Sequence, residues 1–135
     1  MVLQRHDGRI ALVRKHHTRF FIFPGGKPEP TETGVDTAVR EVREELGVQL
    51  DGHLLQHVGD YTTPAANEAQ TQLLSQVYTA QLPADVPVSA QAEIAELIWV
   101  APSTANDELP EGTTLAPLSA LILESREESY GHDTR

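Results

Sequence analysis

The fold class predicted here is α+β, a mixed sheet with helices packed on it. Two observations point to it. A chain of 135 residues is long enough for one hydrophobic core and too short for two. Its apolar segments also group as several strands, a helix, more strands and a second helix. A single domain over 1–128 is therefore expected, with a flexible tail over 129–135.

The first two strands lie in "VLQRHDGRIALVRK", two apolar runs flanking Asp7-Gly8, a hairpin signal. Phe20 to Phe23 reads as a third strand, stopped by Pro24-Gly25-Gly26. After a loop rich in Pro, Gly and Thr, a helix is expected from Thr33. Thr33 is suited to the N-cap, Asp36 completes a capping box, and Gly47 serves as the C-terminal stop. "HLLQHVGDYTT" and "TQLLSQVYTAQL" read as strands, and Leu97 to Val100 as the last strand. A second helix is expected after Pro117, and "SYGHDTR" should fray.

Composition narrows the function. With no cysteine, a disulfide framework, thiolate metal ligands and a cysteine nucleophile are excluded. No stretch approaches the ~20 apolar residues of a membrane span, and no signal segment is evident, so a cytoplasmic protein is expected. A formal charge of −10 argues against nucleic-acid or anionic-membrane partners. Arg5, Arg9, Arg14, Lys15, Arg19 and Lys27 all precede the helix, and between Glu44 and Glu124 there is no Lys or Arg. An anionic ligand must be met by this N-terminal segment, by backbone N–H groups or by a metal ion.

The helix carries an electrostatic oddity. At 100° per residue Ala38, Val39, Val42 and Leu46 form one apolar stripe, while Glu41, Glu44 and Glu45 fall together on its flank. The acids crowd the helix C-terminus, where the macrodipole disfavours them, and repel one another at i,i+3 and i,i+4. A solvated acidic face is the simpler reading, but placement beside the apolar stripe leaves Glu41 and Glu45 partly desolvated. A divalent cation removes the difficulty. Hard oxygen ligands suit Mg²⁺, or Mn²⁺ as its substitute, joining carboxylates to substrate phosphates.

The stretch from Gly26 to Val48 resembles the Nudix box, G-x5-E-x7-R-E-U-x-E-E-x-G-U with U aliphatic. Gly26, Glu32, Arg40, Glu41, Val42, Glu44, Glu45, Gly47 and Val48 fill every defined position. From background residue frequencies, a chance match at one start site is on the order of 10⁻¹⁰. The resemblance implies the Nudix fold, an α/β/α sandwich with a central mixed β-sheet, and a Mg²⁺-binding box. It also implies hydrolysis of a nucleoside diphosphate linked to another moiety. Carried onto this chain, it makes Glu41, Glu44 and Glu45 metal ligands and catalytic carboxylates, with Gly25 adding a backbone carbonyl. Arg40 would orient a catalytic glutamate, Glu32 would brace the loop, and Gly26 and Gly47 would be structural. A further acid before the last strand, Glu93 or Glu96, would join the metal or act as base, with Glu96 counted among the metal ligands. Arg14, Arg19 and Lys27 are candidates for a distal phosphate and Tyr61 for the base.

The compact, MutT-like length favours nucleoside triphosphates, oxidised ones included, cleaved to the monophosphate and pyrophosphate. Pro64, 16 residues after Val48, is similar to a proline of the ADP-ribose subgroup, so cleavage of ADP-ribose or a nucleotide sugar is the alternative. A non-catalytic nucleotide sensor is the second alternative, and it has no need of so costly a set of acids. Homodimers are common in the family.

Overall fold

The computed structural model describes residues 1–66 and 68–133, and of 127–133 only the backbone. Strands β1 (Val2–Gln4), β2 (Ile10–Lys15) and β3 (Phe20–Phe21) precede helix α1 (Gly34–Leu46). Strands β4 (Gln56–Pro64), β5 (Gln72–Gln81), β6 (Ile94–Val100) and β7 (Thr114–Leu115) follow, then helix α2 (Pro117–Asp133). The last strand expected at Leu97 thus begins earlier, at Ile94, and the two-residue β7 comes after it. So short a strand has no period to read. The tail expected over 129–135 falls where side chains, and in 134–135 the backbone, lie outside the described residues.

Five strands form a mixed sheet in the order β4-β5-β1-β2-β6, and β3 pairs with β7 in a separate ribbon. The β1–β5 pair is parallel and the other pairs of the large sheet are antiparallel. The Asp7-Gly8 hairpin forms as expected, with Gly8 at φ 87° in the left-handed region its turn requires. Among the described residues no helix is long and apolar enough to cross a membrane.

Each face of the sheet buries its own cluster, and strand alternation assigns the residues. Leu3, Ala11 and Val13 pack with Ala38, Val42 and Leu46 of α1. Val2, Ile10 and Leu12 pack on the opposite side with Ile122 and Leu123 of α2. This period of two continues along β2, so Arg14 belongs to the α2 face and Lys15 to the α1 face. On β6 the phase changes. Leu97 and Trp99 pack on the α1 side and Ile98 on the α2 side, yet Ile94 returns to the α1 cluster. A register irregularity opposite Arg14 and Lys15 causes this, since Arg14 pairs with Glu96 and Lys15 with Ile94, skipping Ala95.

Candidate metal centre

Helix α1 is held at both ends by its own sequence. The Thr33 hydroxyl accepts from the Asp36 N–H at 3.1 Å, and the Asp36 carboxylate accepts from the Thr33 N–H at 3.2 Å. Gly47, at φ 72°, closes the helix through a bond from its N–H to the Arg43 carbonyl. With Ala38, Val42 and Leu46 pinned to the sheet, Glu41 and Glu45 are carried down beside them, one turn apart. Glu41 is 9% exposed and Glu45 only 1%.

The buried acids are unequally satisfied. Oε2 of Glu45 accepts a long bond, 3.4 Å, from the Gly25 N–H, and its Oε1 has no hydrogen-bond partner among the described residues. Burial, reinforced by the negative charge of Glu41 one turn away, pushes the Glu45 carboxyl up to about 8. Glu41, by contrast, has Arg40 Nη1 at 2.8 Å. Gly26 lies against this carboxylate so closely that an added Cβ would sit 2.6 Å from Glu41 Oε1. That spacing is a steric reason for glycine there.

Arg40 ties the loop to the helix. Its guanidinium donates to both oxygens of Glu32 at 2.7 and 2.9 Å, to the Lys27 carbonyl at 3.1 Å and to Glu44 at 3.2 Å. The Glu32 carboxyl is held down at about 2, chiefly by Arg40 and next by the Glu29 N–H. Through these contacts Arg40 links Glu32 and the Lys27 carbonyl of the loop to Glu41 of the helix.

The third acid comes from outside the helix. Glu41, Glu45 and Glu93 each place one carboxylate oxygen so that all lie within 4.8 Å of one another. Glu44 is half-exposed, turns to Arg40 and stands outside this group. Glu96 is not brought to it either. Its carboxylate accepts from Arg14 Nε at 3.0 Å, and Arg14 also donates to the Thr18 carbonyl. The other expected contacts are scattered. Arg19 is exposed, with its guanidinium over the Phe20 ring, Lys27 is exposed, and Tyr61 packs on the α2-side cluster. Sequence reading missed Lys15, whose Nζ is 3.4 Å from Glu93 Oε1. The signal was present, since Ala11, Val13 and Lys15 share one phase of β2.

Three carboxylates, an orphaned buried oxygen and no sulfur or imidazole in the group fit a small hard cation. A family model described as NUDIX domain matches residues 1–121 of this chain. The chain belongs to the NUDIX family. Family members typically depend on a divalent metal, which this donor set accommodates. Among curated proteins, the Escherichia coli (strain K12) CTP pyrophosphohydrolase is 31% identical over 88% of this chain and 82% of that protein. A Bacillus subtilis (strain 168) protein, YtkD, provisionally named an 8-oxo-dGTP diphosphatase, is 42% identical over 44% of this chain, but the match spans only 36% of that relative. Among solved structures, a MutT/nudix family protein from Enterococcus faecalis superposes with a TM-score of 0.72 at 18% identity, over 97% of this chain and 60% of that one. This last likeness carries the fold and nothing more.

Proposed function

We propose that this NUDIX chain is a Mg²⁺-dependent pyrophosphohydrolase that cleaves nucleoside triphosphates, oxidised ones included, to the monophosphate and pyrophosphate. One observation carries the reading, the buried Glu45 carboxylate with an oxygen unpartnered among the described residues, grouped with Glu41 and Glu93. An ion pair or hydrogen bond would satisfy that oxygen in a purely structural site. The relatives named for CTP and 8-oxo-dGTP support the triphosphate class.

In this reading Glu41 and Glu45 would hold the metal from one helix face and Glu93 would complete the set from the turn before β6. Bound there, Mg²⁺ supplies charge neutralisation and orientation for a diphosphate. Arg40 keeps Glu41 aimed inward, because its other bonds, to Glu32 and the Lys27 carbonyl, fix the guanidinium before any ligand arrives. A carboxylate of the group accepts the proton of the attacking water. Water attacks the α- or the β-phosphorus and the bridging P–O bond between them breaks, so that a triphosphate yields the monophosphate and pyrophosphate.

The test is a substrate panel with Mg²⁺: canonical and oxidised nucleoside triphosphates, ADP-ribose, nucleotide sugars and dinucleoside polyphosphates, with products separated by ion exchange. Metal-dependent release of pyrophosphate from triphosphates, lost in Glu45→Gln, is expected. Turnover confined to ADP-ribose or nucleotide sugars would replace the substrate class, and nucleotide binding without turnover would replace catalysis by sensing.

A further inference from the structure

The carboxylate group holds two cations of unlike mobility. Arg40 serves Glu41 and is fixed, with its side chain 16% exposed and bonded to four residues. Lys15 serves Glu93 and is loose. Its side chain is 40% exposed and Glu93 is 57% exposed, and their one contact is 3.4 Å long. An exposed single-contact pair of this kind contributes little and exchanges readily. The lysine's charge nevertheless reaches Glu45, where it opposes the upward push on that carboxyl.

Backbone geometry fixes this arrangement. The His16 N–H donates to the Glu93 carbonyl at 3.1 Å, holding the turn before β6 against the end of β2. The skipped Ala95 places Lys15 opposite Ile94, on the α1 face with the acids, whereas Arg14 is retained on the other face by Glu96. Of the basic residues named from sequence for phosphate binding, Arg14 is thus occupied elsewhere. Lys15 is the cation paired to the free end of the carboxylate group.

We propose that Lys15 is a positioning residue of the diphosphate site. Its ammonium neutralises Glu93 while the carboxylates are metal-free, and it is released to hold a substrate phosphate when a divalent cation takes Glu93. The inference rests on the metal-dependent reading above. It predicts opposite effects on two ligands. Removing the ammonium removes a competitor of the metal and, at the same time, a partner of the phosphate, whereas a structural lysine would weaken both or neither.

The experiment uses the full chain with Lys15→Met, Lys15→Arg and, on the opposite face, Arg14→Met. Mn²⁺ binding without nucleotide is followed by the electron paramagnetic resonance signal of the free ion, and inorganic pyrophosphate binding to the Mn²⁺-loaded protein by calorimetry. Lys15→Met should tighten Mn²⁺ by about threefold to tenfold, as expected for loss of a nearby unit charge, and weaken pyrophosphate by about tenfold. Lys15→Arg should recover most pyrophosphate affinity, and Arg14→Met should leave both constants near wild type. Unchanged constants in Lys15→Met, or a shift of both in one direction, would overturn the proposal. Neither measurement needs turnover, so this result stands apart from the substrate panel. A wild-type chain that binds Mn²⁺ and pyrophosphate but hydrolyses nothing overturns the catalytic reading alone.

Discussion

Glu45 is a carboxylic acid placed where a leucine would cost less. It is 1% exposed, one oxygen lacks a partner among the described residues, and its neighbour at one turn is another acid. Converting it to the neutral isostere should therefore separate stability from activity. Glu45→Gln is expected to stabilise the metal-free protein at pH 8 by about 2 kcal/mol, because no charge remains to desolvate, while lowering turnover by roughly 10²- to 10³-fold. Urea unfolding in the presence of a chelator and steady-state kinetics check the two halves, and a variant both less stable and less active would contradict this account. Gly26 is the complementary case. An Ala methyl would meet the Glu41 carboxylate, which Arg40 prevents from swinging away. Gly26→Ala should cost only about 1 kcal/mol in stability but weaken Mn²⁺ at least tenfold in a titration, since the group that yields is a proposed ligand.

At the scale of the element, α1 shows what in this chain is local and what is not. Its start, its stop and its buried face follow from Thr33, Asp36, Gly47 and the spacing of Ala38, Val42 and Leu46, all within one short stretch. Replacing the cap, Thr33→Ala, should accordingly lower stability by about 1 kcal/mol, read as a reduced urea midpoint with an unchanged slope. The box acids were legible for the same reason: a helix converts fixed spacing into a common face. The strand-borne part was less so. Choosing Glu93 over Glu96 requires knowing that β6 skips Ala95 against β2, a property of two segments some 80 residues apart that neither encodes alone. The burial of Glu41 and Glu45 could be anticipated from their position beside the apolar stripe. That Glu44 would leave the group for Arg40 could not, because the arginine's path depends on where the loop places Glu32 and the Lys27 carbonyl.

For the whole molecule these groups set opposite slopes in the dependence of stability on pH. The Glu32 carboxyl lies near 2, and Asp7, bonded to Arg5 and to the Arg9 N–H, also lies near 2. Both are depressed from the usual range, so what they contribute is present above about pH 4.5 and is lost as pH falls towards 2. Glu45 is displaced upward from 4.5 to about 8, so the sign is reversed. The folded protein retains a proton that the unfolded chain has released, and stability declines as pH rises through this window, by up to about 1.4 kcal/mol per unit. Metal-free protein should thus be most stable near pH 5, an acid optimum for a chain already carrying −10 at neutrality. A divalent cation competes with that proton. Mg²⁺ at about a hundred times its dissociation constant would add roughly 3 kcal/mol at pH 8, some 10 °C in melting temperature for a domain of this size, and very little at pH 5, where Glu45 remains protonated. Thermal melts at pH 5, 6.5 and 8, with chelator and with Mg²⁺, would resolve this. A Mg²⁺ shift of equal size at pH 5 and pH 8 would place the cation away from Glu45, whereas a shift that grows with pH ties the stability of the fold to the carboxylate group on α1.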